Sequence, residues 1–354
     1  MSIRARWALI VPASLLLGWA LRAVGVPAAW VVAAIAVSGT AALATGEELE
    51  VNRHFYALAR GFIGIMAGLP LTLVPARQLV GYVPAGATIA LVTVLVGIAG
   101  GVALHRSQPQ AVPWTTGILA MLPGGASMMP ALAHELGADY RYVALTQYLR
   151  LLVVSITLPV VAVFLAHPQA THAHVSADTP LWLLLLTVAV AIAGEPFGRL
   201  LRLPAAPVLG TVVLTVAVAA LLPEGQTLVL HPWFQVMALL SIGWVCGGGL
   251  SVPALRLFAR QLPVTLGAIA AVICACALTA VPLARVLGIS YFEAYLATSP
   301  GALETVLALA AEGGASAAVV ALQLIRLILV LLIAGYLPQL LRGAAAVLHR
   351  LRRD

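Results

Sequence analysis

Charge is scarce in this sequence, and lysine is absent altogether. Only 9% of the 354 residues are charged and 62% are hydrophobic, which gives a mean hydropathy of +1.06. A soluble domain carries about 25% charged and about 45–50% apolar residues, so this chain could not cover its apolar surface in water. These numbers exclude a disordered chain, a disulfide-rich secreted scaffold and a nucleic-acid-binding domain. They predict an all-α polytopic membrane protein.

Cysteine and clustered histidine, which many metal centres need, are also sparse. The three cysteines lie within apolar runs, where cysteine usually packs as a small hydrophobic residue. No helix carries an H-x-x-x-H or H-E-x-x-H pattern, and no P-loop, dinucleotide-binding glycine fingerprint or catalytic triad is present. The sequence therefore predicts no metal site, no cofactor and no enzymatic activity.

Twelve apolar segments approach or exceed the roughly 20 residues needed to cross a bilayer. The first six are 7–24, 27–44, 56–73, 82–104, 114–137 and 142–166, and the second six are 181–198, 204–222, 233–250, 263–284, 291–313 and 317–340. The first segment has an internal counterpart and no A-x-A cleavage site after it, so it predicts a retained helix. A polar linker at 167–180 separates a first membrane unit, 1–166, from a second, 181–354.

The two units match each other at an offset of about 177 residues, half the length of the chain. Three pairs of short matches carry this observation: Pro27-Ala28-Ala29 with Pro204-Ala205-Ala206, Pro123-Gly124 with Pro300-Gly301, and Val74-Pro75-Ala76 with Val252-Pro253-Ala254. Matches that keep their order at one period are the signature of a repeat. The sequence therefore predicts an internal duplication.

The placement of arginine predicts that the two repeats are inverted. If all twelve segments cross, about ten arginines lie in the cytoplasm and about seven outside; if 114–137 and 291–313 dip in and return, about 14 lie inside and three outside. The positive-inside rule favours the second division. It predicts five crossings in each repeat, a re-entrant or broken helix in each half, and cytoplasmic N- and C-termini in a bacterial inner membrane. Breaks in the glycine-rich segments 56–73 and 233–250 would change this parity.

Proline and glycine interrupt the two matching segments that are predicted to re-enter. The interruptions are Pro123-Gly124-Gly125 and Pro300-Gly301. Broken backbone in lipid must face protein or a water-filled cavity, and a new helix start presents unpaired N–H groups that suit an anion. Matched interruptions in two repeats are typical of a transporter site. The alternative is that they only kink the helices for packing.

Charged and polar side chains accompany these breaks. Gln147 with Arg150, and Gln323 with Arg326, lie on one helix face near the bilayer midplane, where a charge is costly. Each arginine either binds a substrate anion or bonds the open carbonyls of the neighbouring broken helix. Glu304, which matches Ser127 of the first repeat, either pairs with an arginine, Arg326, or binds H⁺ or Na⁺.

The repeated motifs P-G-G-x-S-x-M, E-L-G-A-D and V-A-L-x-Q-x-x-R resemble the AbrB-type duplicated membrane protein family of Gram-negative bacteria. The resemblance covers both repeats, although the second has Ala302, Glu304 and Ser316 where the first has Gly125, Ser127 and Asp139. Members of that family carry labels of ammonia monooxygenase or of membrane regulator of gene expression. The name shared with a soluble DNA-binding regulator does not carry over, because this chain has no soluble domain.

These observations favour a secondary transporter that moves a small, anionic solute by alternating access. Its partners would be the lipid bilayer, the solute and H⁺ or Na⁺, with a homodimer allowed and no nucleic acid. Two alternatives remain. One is a membrane-embedded sensor or regulator of gene expression, as the family label implies, and the least supported is a subunit of a membrane monooxygenase.

Overall fold

The computed structural model describes most of the two predicted membrane units. The described residues are 3–26, 28–110, 112–123, 128–165, 180–203, 205–223, 226, 228–249, 262–301, 303–330 and 332–333. All regular secondary structure within these ranges is helical, which confirms the predicted all-α class. The linker up to residue 179 and the break residues Gly124, Gly125 and Ser127 lie outside the described residues.

The helices follow the predicted apolar segments closely. Those of the first half are α1 (Ile3–Ala23), α2 (Ala29–Thr45), α3 (Arg53–Thr72), α4 (Ala76–Gly81), α5 (Val83–Ser107), α6 (Trp114–Met121), α7 (Met128–Glu135) and α8 (Tyr140–Phe164). Those of the second half are α9 (Leu181–Leu200), α10 (Ala206–Leu221), α11 (Pro232–Gly248), α12 (Leu262–Leu287), α13 (Tyr291–Thr298), α14 (Leu303–Glu312) and α15 (Ala317–Val330).

Several of these helices suit a membrane by length and composition. Within the described ranges, five helical stretches of 20–31 residues are long and apolar enough to cross it: α3, the stretch Arg77–Ser107 that contains α5, α8, α9 and α12 from Pro263 onward. Shorter apolar helices are α2, α10, α11 and α15. Helices α3 and α11 run without a break, so the glycine-rich segments do not change the predicted parity. The chain is a multi-pass membrane protein.

Each of the two interrupted segments is a re-entrant hairpin. The backbone N–H of Asp139, which follows α7, donates to Thr116 Oγ1 near the start of α6 at 3.1 Å. The backbone N–H of Ser316, which follows α14, donates to Glu293 Oε1 near the start of α13 at 2.8 Å. Because a hydrogen bond joins the two ends of each segment, each segment doubles back on itself, as a re-entrant helix requires. The prediction of a re-entrant or broken helix in each half is therefore confirmed in its broken form.

Helices of one half pack against helices of the other half at glycines that allow close contact. Each contact sets a glycine against a small side chain of the other half: Gly64 against Thr211, Gly68 against Thr215, Gly243 against Ala34, and Gly247 against Ser38. The residue numbers rise together in both pairs, so α3 runs parallel to α10, and α2 runs parallel to α11. On α3 and α11 the ring pairs Phe55–Trp244 and Phe62–Phe234 run in opposite order, so α11 is antiparallel to α3, its predicted repeat counterpart. An inverted repeat requires this relation, although the duplication itself stays a prediction.

Replacing Gly210 by alanine should destabilise the protein, because α9 and α10 touch through their backbones. A Cβ at Gly210 would lie 2.6 Å from Gly198 Cα and would also overlap the carbonyl oxygen of Gly194. No side chain can turn away to relieve such a contact, so we expect a loss of about 1–3 kcal/mol. Thermal unfolding of the purified protein in detergent measures it.

The matched control for this substitution is Gly267→Ala on α12, where an added Cβ meets nothing within 4 Å. Alanine is the better helix former by about 0.5–1 kcal/mol, so this variant should melt at or slightly above the wild-type temperature. Equal melting temperatures for the Gly210 and Gly267 variants would contradict the close α9–α10 contact.

Candidate substrate and ion site

The first re-entrant hairpin is capped from α8. Helix α6 ends at Met121 and leaves its last carbonyls without intrahelical partners. Gln147 Nε2 donates at 2.8–3.2 Å to three of these oxygens, those of Leu119, Ala120 and Leu122. Arg150 Nη1 donates to the Met121 carbonyl at 3.2 Å, and Arg150 Nη2 donates to Gln147 Oε1 at 2.8 Å. Gln147 and Arg150 of the Q-x-x-R pattern thus satisfy the open carbonyls at the carboxyl end of α6.

The second hairpin is capped in the same way from α15. Gln323 Nε2 donates to the Leu296 carbonyl, and Arg326 Nη2 donates to Gln323 Oε1 at 2.6 Å. Arg326 Nη1 donates to the carbonyls of Thr298 at 2.9 Å and Ser299 at 2.6 Å. These contacts repeat those of the first hairpin at nearly the offset that the sequence predicts.

Of the two roles considered for the arginines, this structure shows the second: each arginine bonds the open carbonyls of a neighbouring broken helix. A helix carboxyl end carries about half a negative charge and open acceptors, and lipid satisfies neither. Arg150 and Arg326 are only 5% and 7% exposed, so each guanidinium is held inside the protein against such an end. Arg150 Nε is buried with no hydrogen-bond partner among the described residues, which leaves one donor uncommitted.

Helix α8 brings the two hairpins together. Arg150 bonds the first hairpin, and Val154, one turn further along α8, packs against the break of the second: a Cβ at Gly301 would lie 2.6 Å from Val154 Cγ1. Ser155 Oγ lies 3.3 Å from Thr305 Oγ1 on α14. Helix α8 therefore contacts the inner ends of both hairpins.

Glu304 lies in the first turn of α14 and faces α3. Its Oε2 accepts a hydrogen bond from the Tyr56 hydroxyl at 2.6 Å, and its Oε1 lies 3.8 Å from Arg60 Nη1. The Arg60 guanidinium also stacks over the Tyr56 ring, 4.8 Å from its centroid. We call these three residues the carboxylate cluster. The sequence alternative that pairs Glu304 with Arg326 is wrong, because Arg326 is committed to the carbonyl end of α13.

Tyr56 and Arg60 are functional candidates that the sequence analysis missed. The arginine count gave Arg60 no role of its own, although it lies inside the predicted segment 56–73. Its position one helical turn after Tyr56 was the available signal, since residues at i and i+4 share a helix face. The partner on α14 is 248 residues away, and no local pattern indicates it.

A cavity of about 310 Å³ opens beside the carboxylate cluster. It lies between the α2–α3 connection, α8 and the end of α11, and we call it the vestibule; its lining residues are Glu48, Leu49, Glu50, Val51, Tyr56, Tyr148, Val245, Gly248 and Gly249. Tyr56 belongs to both the vestibule and the cluster. The vestibule therefore reaches the residue that hydrogen-bonds Glu304.

Other acidic residues have structural roles. Glu195 and Arg199 form an i,i+4 ion pair at the end of α9. Glu293 stands at the base of the second hairpin, where it is buried and completes a capping box with Ser290 at the start of α13. Within the described ranges, no group of three or more histidine, cysteine, aspartate or glutamate side chains is placed to hold a metal ion.

Comparison with known proteins shows the family. The family model described as "Transition state regulatory protein AbrB" matches residues 30–342. An Escherichia coli (strain K12) protein named "Putative regulator AbrB" is 35% identical over 333 residues, 92% of this chain and 94% of that protein. A Bacillus subtilis (strain 168) protein named "Uncharacterized protein YhjN" is 26% identical over 349 residues, 89% of this chain and 87% of that protein.

The match in the family model and the identity to the Escherichia coli protein both extend through the two hairpins and the Q-x-x-R helices. This chain belongs to the AbrB family.

Proposed function

We propose that this protein is a secondary transporter that moves a small anionic solute across the bacterial inner membrane by alternating access. The observation that carries the proposal is the meeting of two re-entrant hairpins on α8, each capped by a buried arginine. Irregular backbone at membrane depth is tolerated only around protein or a water-filled cavity. Broken helices that face each other from two halves of a chain are typical of transporter sites.

The charges around the hairpins support an anionic solute. Arg150 and Arg326 each bring a full positive charge, whereas each carbonyl end that they cap offsets only about half a charge. The starts of α7 and α14 add further positive dipole ends, and the charges of Glu304 and Arg60 cancel each other. A positive excess is costly in a low dielectric, and a bound anion would remove it.

The binding site in this proposal combines the arginines with the breaks. The proposed ligand groups are those of Pro123, Gly124, Gly125, Ser127, Gln147, Arg150, Pro300, Gly301, Gln323 and Arg326, with Glu304 coupling transport to H⁺ or Na⁺. Arg326 now donates to the end of α13. Turning its N–H groups towards a solute requires that end to move, and this links solute binding to movement of the hairpin.

A regulator of gene expression is the second candidate, and the name of the Escherichia coli relative favours it. A membrane-embedded sensor needs a cytoplasmic partner to carry its signal. We further propose that the protein is not an enzyme, since the sequence carries no catalytic motif or metal-ligand pattern.

The transport proposal is tested with right-side-out membrane vesicles. Vesicles with and without the protein are incubated with a filtered cell extract, washed, and analysed by mass spectrometry. We expect one or a few small anions to be enriched only where the protein is present. Unchanged vesicle contents, together with a co-purifying cytoplasmic protein and altered transcripts in a deletion strain, would favour the regulator.

We expect both termini to be cytoplasmic and the linker at 167–180 to be periplasmic. Single cysteines introduced by Thr171→Cys and by Ser251→Cys, in a variant lacking Cys246, Cys274 and Cys276, test this orientation. An impermeant thiol reagent added to intact cells should label the first position and not the second. The opposite pattern would contradict the arginine-based topology.

A further inference from the structure

The vestibule and the carboxylate cluster are joined through one side chain. The Tyr56 hydroxyl donates to Glu304 at 2.6 Å, and the same tyrosine lines the vestibule. The side chains of Glu304 and Arg60 each retain 22% of their exposure, so the cluster is not sealed. Since Tyr56 lies only four residues after Asn52, the N-cap of α3, water at that end of the helix is about 6 Å away along the helix axis.

The groups around Glu304 suit a proton better than a metal cation. The Tyr56 hydroxyl donates to the carboxylate, and Arg60, which has donors and no acceptor, forms an ion pair with it, whereas a metal ion needs oxygen acceptors. The guanidinium of Arg60, 3.8 Å from the carboxylate, would also repel a second cation in the same place. A proton needs only one lone pair of the carboxylate and leaves Tyr56 free to turn its hydroxyl.

We propose that Glu304 is a proton-binding site that is reached from the vestibule through Tyr56, and that its protonation releases Arg60 from the ion pair. This inference rests on the proposed transport function, because it identifies H⁺ and not Na⁺ as the ion that is coupled to the solute. It also assigns a direction of access: the proton arrives from the side of the α2–α3 connection.

Protonation changes the charge of the cluster in a way that couples it to an anion. With Glu304 ionised, its charge and that of Arg60 cancel; with Glu304 protonated, the cluster carries one positive charge. Arg60 Nε is already buried with no partner among the described residues, so a released Arg60 gains no substitute there. The added positive charge strengthens anion binding, and proton and solute therefore bind together.

Three charged or titratable side chains face Glu304 from the helices packed on α14, within the described ranges. Tyr56 and Arg60 come from α3, and Cys246 of α11 lies within electrostatic range of the carboxylate. Helix α8 contributes the uncharged hydroxyl of Ser155, which contacts the neighbouring Thr305. Glu304 is the acidic member of this set, and it is the group that we expect to take up the proton.

The proposal is tested by chemical labelling of the purified full-length protein in detergent. The reagent is dicyclohexylcarbodiimide, which reacts with protonated carboxyl groups in apolar surroundings. Mass spectrometry of peptides should find the adduct on Glu304 at acid pH and show its loss as the pH rises. Replacing choline chloride by sodium chloride at a fixed pH should change nothing. Glu304→Gln should lose the adduct, and the control Glu195→Gln, which alters a surface ion pair on α9, should keep it.

Two further variants show whether the neighbours act as proposed. Tyr56→Phe and Arg60→Gln each remove a group that contacts the carboxylate, so at one fixed acid pH both variants should be labelled faster than wild type. Protection of Glu304 by sodium ions would overturn the proton site in favour of a metal cation, and absence of the adduct at every pH would overturn access through the vestibule. The expected labelling without any solute enrichment in vesicles would overturn the transport function and leave the proton site standing.

Discussion

Replacing Arg326 by glutamine should reduce solute uptake by vesicles about ten- to hundredfold, because a charged hydrogen bond to the solute contributes about 1.5–3 kcal/mol. The same substitution removes the donor to the carbonyls of Thr298 and Ser299. We therefore expect a lower melting temperature as well, with folded protein still present in the membrane. Arg150→Gln should behave in the same way, since Arg150 caps the other hairpin.

Two comparisons separate solute binding from the structural role. Arg326→Lys keeps the positive charge and some hydrogen-bond donors, so it should restore stability more than it restores uptake, because lysine lacks the planar fork of arginine. Arg285→Gln at the exposed end of α12 is the matched arginine control and should leave uptake unchanged. Wild-type uptake by Arg326→Gln would end the anion-site hypothesis. Loss of folded protein in every variant of both arginines would assign them a structural role alone.

Replacing Glu304 by glutamine should abolish gradient-driven accumulation of the solute while exchange down its own gradient continues. Glutamine resembles the protonated acid in shape and charge, so the cluster would remain in the state in which Arg60 is released. The measurement compares uptake by energised vesicles with solute counterflow in vesicles without an ion gradient. The transport rate in counterflow should stay within about a factor of ten of wild type.

Glu195→Gln on α9 is the matched control and should keep both activities. Accumulation by Glu304→Gln at the wild-type level would show that the coupling ion binds elsewhere. Loss of counterflow as well as accumulation would place Glu304 in solute binding and not in coupling.

Features that depend on local sequence could be predicted, and the re-entrant hairpins are the clearest example. A proline–glycine pair inside an apolar run breaks a helix wherever the run packs, so the interruptions at Pro123 and Pro300 were visible without any structure. The Q-x-x-R pairs were also visible, because residues at i and i+3 share a helix face. Their carbonyl partners were one of two alternatives, since the distance of α8 from α6 is a tertiary property.

Features that depend on contacts between distant helices were missed. Thr116 and Glu293 occupy matching positions and accept from matching backbone N–H groups, yet one is a hydroxyl and the other a carboxylate. The acceptor role of Glu293 depends on the returning end of the hairpin, and no local pattern in the sequence indicates it. The pairing of Glu304 with α3 is similar: it follows from how α14 leaves the break, which the residue pattern does not specify.

Alternating access is tested most directly by a single cysteine at the break of the second hairpin. Ser299 is 1% exposed in this structure, so Ser299→Cys in a cysteine-free variant reacts with an impermeant thiol reagent only when the site opens. The control is Ser107→Cys at the exposed end of α5, which should react from one face of the membrane only. We predict labelling of the Ser299 position in both right-side-out and inside-out vesicles. Labelling from one face only, or from neither, while the control reacts normally, would contradict a transporter that opens this site to each side in turn.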